Sequence, residues 1–174
     1  MRRNTDNGCL GFFVAVIFTM PFIIWGAVRG INSIQFNVNC GGYLKRASDA
    51  NTVEMARGEL QKAIAYAEKN KLTEGSTRLI FDYPSCDVGF WFNNLKASDE
   101  ELSKVTKETS QLEKTNLLIK LRETLLDHAK EGVTVTLPEG ISVFPYNWPF
   151  CLWGWISLLI ACIAWLAWFV TYAN

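Results

Sequence analysis

The sequence predicts an all-α membrane protein in which two transmembrane helices flank an extracytoplasmic three-helix antiparallel bundle, with room for short β segments in the connectors. Three observations predict it. An uncharged apolar run lies near each end of the 174 residues, and nearly all the charges fall between Arg29 and Glu139. Within that charged middle, apolar residues recur three or four apart, the spacing of one helix face.

The first run reads CLGFFVAVIFTMPFIIWGAV, residues 9–28. About 20 uncharged residues at ~1.5 Å each match a hydrocarbon core of ~30 Å. Residues 1–8 carry Arg2 and Arg3, which the positive-inside tendency keeps in the cytoplasm, and Trp25 lies near the far end, where an indole favours the headgroups. A cleaved signal peptide is the rival reading, but the run is longer than such a core and ends in Trp25, Gly26, Ala27, Val28 and Arg29. Pro21 is expected to kink this helix, which a membrane span tolerates.

The second run, residues 150–172, reads FCLWGWISLLIACIAWLAWFVTY. Trp148, Trp153 and Trp155 at its entrance and Trp165, Trp168 and Tyr172 toward its exit form two aromatic belts, with Trp165 deep enough to pack on another helix instead. Residues 173–174 then return to the cytoplasm, so both termini share one side and residues 29–149 occupy the periplasmic or extracellular side. Neither run holds Asp, Glu, Lys, Arg or His, the usual material of proton relays and ion pathways, which argues against a transporter acting alone.

Small residues recur at helix-packing spacing in both runs: Gly11, Ala15 and Thr19, with Gly26 a heptad further, and Gly154, Ser157, Ala161 and Ala164. Such faces let backbones approach closely. The two helices are expected to pair within one chain, with self-association or a membrane-protein partner as the alternative.

Between the spans, Gly30 to Cys40 reads as an extended connector closed by Gly41 and Gly42. A long amphipathic helix follows over about 43–70, with Leu44, Ala47, Val53, Ala56, Leu60, Ala63, Ile64 and Ala67 on its apolar face. Lys71 to Cys86 is a loop with a brief strand at Thr77 to Tyr83. Asp87 caps a second helix over about 87–105, faced by Val88, Trp91, Phe92, Leu95, Leu102 and Val105. A third runs over about 110–130, where Ser110 and Glu113 fit a capping box and Leu112, Leu118, Leu121, Leu125 and Leu126 form the stripe. Residues 133–149 alternate as VTVTL and then carry Pro138, Gly140, Pro145 and Pro149; the strand would pair with the first connector or with Thr77 to Tyr83.

Chemistry is sparse. Lys and Arg together number 17 and so do Asp and Glu, and no basic run exceeds two residues, which argues against a nucleic-acid partner. There is no H-E-x-x-H, G-x-S-x-G, Walker loop or G-x-G-x-x-G, so no catalytic residue, cofactor or metal site is expected. His128, the single histidine, reads as a surface residue near a helix end. Cys9, Cys151 and Cys162 lie in or beside the spans, while Cys40 and Cys86 lie between them, where an oxidising compartment would permit a disulfide. Phe90, Trp91, Asn93 and Asn94 form the most unusual stretch outside the membrane and read either as bundle core or as a partner or ligand surface.

The layout resembles the input half of bacterial membrane receptors but carries no cytoplasmic output domain, so signalling would need a partner. Three function classes follow. The first is a non-catalytic accessory or scaffold subunit that sits in the lipid bilayer and presents a helical domain for protein-protein interaction. The second is a ligand-sensing module acting through a partner, which needs a pocket lined by Phe90, Trp91 and Asn94. The third is a membrane-associated enzyme, which needs converging polar side chains.

Overall fold

The computed structural model describes residues 2–81, 83–129 and 132–173, and the side chains of all of these except 2–9, 128, 129, 172 and 173. The expectations placed on the Arg2, Arg3, Cys9, His128 and Tyr172 side chains and on Lys130 therefore lie outside the described residues. The chain is mostly helical and divides into two compact units, one made of Met1–Asn32 with Tyr146–Asn174, the other of Ser33–Pro145.

The first unit holds the two apolar helices, both long and apolar enough to cross a membrane. Helix α1 spans Arg2–Phe36, with Pro21 inside it, and α6 spans Asn147–Ala173. The small residues bring these helices together at particular points. Trp25 lies so close over Gly154 that a Cβ there would meet the indole at 2.6 Å. That approach lets Trp25 Nε1–H donate to the Phe150 carbonyl at 2.9 Å. Phe22, Trp25 and Phe150 stack in sequence, with centroids 5.5 and 5.6 Å apart.

Toward the other end, Trp165 Nε1–H donates to Thr19 Oγ1 at 3.0 Å, and the Thr19 hydroxyl in turn donates to the Ala15 carbonyl at 2.8 Å. Trp165 thus packs on α1. Gly11 makes room for Trp168, whose Cδ1 a Cβ would meet at 3.0 Å. Ala15, Ser157 and Ala161 are buried, Ala164 is half-buried, and Gly26, counted with this face by spacing, looks onto open space. The remaining surface is apolar and exposed, Leu10, Phe13, Ile17, Leu159, Leu166 and Phe169 among it.

In the second unit the extended connector expected over residues 30–40 is helical. α1 continues to Phe36, a π turn follows over Asn37–Gly41, and α2 occupies Gly42–Ser48. Propagating an existing helix costs far less than starting one. Phe36, Cys40, Leu44 and Ala47, spaced four, four and three, are all buried as one stripe. Gly41 and Gly42 do not end the helix. A Cβ on Gly42 would stand 3.0 Å from the Asn37 carbonyl, so glycine suits the widened turn.

The long helix expected over 43–70 is two helices. Thr52, extended at φ −130°, ψ 152°, starts α3 (Val53–Lys69) and accepts a hydrogen bond from Met55 N–H at 3.2 Å. The break folds α2 back on α3, where Ala47, Ala56, Ala63 and Ala67 are at most 1% exposed and permit close helix contact.

Asp87 caps α4 (Val88–Ser103) through its carboxylate and Phe90 N–H, and Val88, Trp91, Phe92, Leu95 and Leu102 are buried as the spacing predicts. Ser110 caps α5 (Gln111–Leu125) by accepting from Glu113 N–H. Leu121 and Leu125 are buried, whereas Leu112 is 72% exposed and falls outside the stripe. Arg57 pairs with Asp99 across α3 and α4, and Lys120 with Glu101 across α4 and α5. The Arg122 guanidinium donates to the Ser48 carbonyl at the end of α2.

α5 stops at Leu125, short of the expected Lys130. Leu126–Ala129 forms β1, antiparallel to β2 (Gly132–Val135), with Leu126 opposite Val135 and Asp127 opposite Thr134. The VTVT segment thus pairs with its immediate neighbour in sequence, where loop closure costs least, and not with a distant connector. Gly132, at φ +130°, supplies a backbone conformation that other residues rarely adopt. Thr77 to Tyr83 forms no ladder among the described residues: a single bridge joins Ser76 to Asp87, and Thr77 N–H donates to the Cys86 carbonyl at 2.9 Å.

Candidate functional site

Two cysteines and one aromatic cluster were the candidates of the second unit. Cys40 and Cys86 are buried free thiols, so the expected disulfide is not formed. Cys40 sits on the π turn with its Sγ 3.9 Å from the Ala63 carbonyl, a packing contact, and burial pushes its thiol from the usual 9.0 up to about 12. A group held protonated this firmly is a poor nucleophile. Tyr66 is raised as well, first by burial and then by the neighbouring Cys40.

The aromatic cluster divides. Phe92 belongs to the core, while Phe90 on the same helix is 64% exposed. Trp91 is buried, and its Nε1–H donates to the Thr136 carbonyl at 3.1 Å. The hairpin explains this bond. Thr136 N–H donates to the Leu125 carbonyl, extending the β1–β2 ladder by one pair, but Leu125 ends α5 and its own N–H serves that helix. The indole supplies the donor that a strand partner would have offered. Trp91 therefore joins α4 to the hairpin, with its polar group already engaged.

This junction leaves a half-open cleft of about 330 Å³ between α4 and the hairpin. Phe90, Trp91 and Asn94 line it, three of the four residues singled out by sequence; Asn93 is exposed and outside it. The opposite wall comes from Asp127 and residues 134–139; Asp127, Thr134 and Thr136 share the exposed sheet face, because 127 faces 134 in the register and strand side chains alternate, while Val135 and Leu137 pack toward the core. Pro84, Pro138, Asp87 and Glu139 stand among its lining residues. Sequence reasoning missed the hairpin wall, although the VTVT alternation places Thr134 and Thr136 on one face.

Among the described residues the cleft has one sign of charge: Asp87, Asp127 and Glu139 are exposed carboxylates, and no described Lys, Arg or His lines it. Asp87 is anchored by capping α4, and among the described residues neither Asp127 nor Glu139 has a cationic partner. Three or more His, Cys, Asp or Glu placed to hold a metal do not occur among the described residues. The arrangement offers a flat aromatic ring, hydroxyls and negative charge, a surface for recognition. No family model matches this chain, and neither the curated proteins nor the solved structures include a match.

Proposed function

We propose that the chain is a two-pass integral membrane protein that holds residues 29–149 outside the cytoplasm and serves as a non-catalytic accessory or scaffold subunit. The observation that carries this reading is how α1 and α6 engage each other. Trp25 on Gly154 and Trp165 on Thr19 join the two helices within one chain, while Gly26 and the outward apolar side chains stay exposed. A helix pair joined at these points supports anchoring in lipid by the chain's own two helices, and in this reading the second unit binds the partner.

Affinity purification from native membranes in mild detergent, after mild cross-linking, tests the reading. A specific membrane-protein partner in comparable amount is expected, and recovery of the chain alone as a monomer overturns it. A second reading, a ligand-sensing module that signals through a partner, is favoured by the cleft beside Phe90 and Asn94.

A further inference from the structure

We propose that the cleft between α4 and the β1–β2 hairpin docks an extended arginine- or lysine-bearing segment of the partner protein, with the cation among Asp87, Asp127 and Glu139 and its apolar stem on Phe90. The inference rests on the accessory-subunit reading and names the chemistry of the partner.

Charge complementarity selects the occupant. Three carboxylates line a space of about 330 Å³ with no basic residue among its described lining, so these side chains repel an anion and attract a cation. The exposed Phe90 ring adds an apolar and cation-attracting surface, against which a guanidinium or ammonium with its aliphatic stem fits better than a bare ion. Thr134 and Thr136, on the hairpin face, offer hydroxyls to the remaining N–H donors.

The openness of the cleft favours a protein-borne cation over a free amine. Ligand pockets bury roughly 70–90% of a small molecule. A half-open cleft leaves much of such a ligand wet, whereas a segment carried on a protein adds contacts beyond the rim. The walls are set before binding: Trp91 is bonded to Thr136, Asp87 is held by Phe90 N–H, and two prolines are among the lining. Little ordering is then required of this side.

The test uses the full chain in nanodiscs of phosphatidylcholine, whose neutral headgroups do not themselves collect basic peptides. Fluorescence anisotropy is followed with two labelled ten-residue peptides, one alternating Arg with Leu and the other alternating Glu with Leu. Saturable binding of the arginine peptide alone is expected, weakening with salt. D127N/E139Q together, and F90A separately, should each weaken it about tenfold or more. The charge-matched control E54Q/E108Q, on exposed positions outside the cleft's lining, should leave it unchanged.

Equal binding by D127N/E139Q and the control, or no saturable binding, overturns the proposal. Competition by free arginine amide at the same concentration as the peptide overturns it too, in favour of a small-amine site. If a partner is still recovered from native membranes by D127N/E139Q as well as by the unaltered chain, the cleft proposal fails while the accessory-subunit reading stands.

Discussion

Three residues show how local chemistry decides a role. Cys40 was a disulfide candidate by compartment, but its position on a buried helical stripe makes it a packing residue whose thiol holds its proton up to about pH 12. An unperturbed thiol releases its proton near 9.0, so between these values the unfolded state binds fewer protons and stability falls as pH rises. The slope attributable to this group is about 1.4 kcal/mol per pH unit. Denaturation of the detergent-solubilised chain across pH 8 to about 12, compared with Cys40→Ala, should show a shallower loss in the variant; parallel curves would remove the assignment. Trp91 illustrates the opposite case, an apparent binding residue whose indole N–H is already engaged. Trp91→Phe keeps the ring and leaves the Thr136 carbonyl without that donor, for an expected cost of about 1 kcal/mol. Faster hydrogen exchange in residues 132–136 is the measurement that checks it. Phe90, one residue earlier, keeps its exposed face and is the residue of the pair that is free to bind.

At the scale of elements, the caps were legible and the breaks were not. Asp87 and Ser110 start α4 and α5 as predicted, because an N-cap depends on a few adjacent residues. Thr52 works in the same way, but it lies inside an apolar period that continues across the break. Thr52→Ala and Ser110→Ala should each cost about 1 kcal/mol in chemical denaturation. In the first unit, spacing grouped Gly26 with the packing glycines, but only Gly154 and Gly11 meet an indole. Gly154→Val drives a branched side chain into Trp25 and should destabilise the helix pair by about 1 to 3 kcal/mol. Gly26→Ala, facing open space, should leave the melting temperature of the solubilised chain nearly unchanged. A similar loss in both variants would mean that the contact at Gly154 does not hold the pair.

For the whole molecule, two helices are each long and apolar enough to cross a membrane, and the proposed two-pass topology keeps the segment between them on a single side. A cysteine introduced in the exposed turn after α4, Lys107→Cys, reports that side, since Cys40 and Cys86 are too buried to serve as native probes. A membrane-impermeant maleimide is expected to label it in intact cells. Labelling only after the membrane is opened would invert the proposed orientation and place the acidic cleft in the cytoplasm.

Sequence by itself determined the two apolar helices, the charged middle between them, the buried face of α4 and the caps of α4 and α5. These are local properties, set by hydropathy over some 20 residues or by one side chain and the backbone beside it. Only the tertiary structure decided that Phe36, Cys40, Leu44 and Ala47 form one stripe, because a run of polar and β-branched residues becomes helical when α3 is there to bury its apolar side. Tertiary contact likewise turned Trp91 into a joint and left Phe90 exposed, on neighbouring aromatic positions. The cleft itself joins residues some forty positions apart, and spacing along a chain carries no measure of that distance.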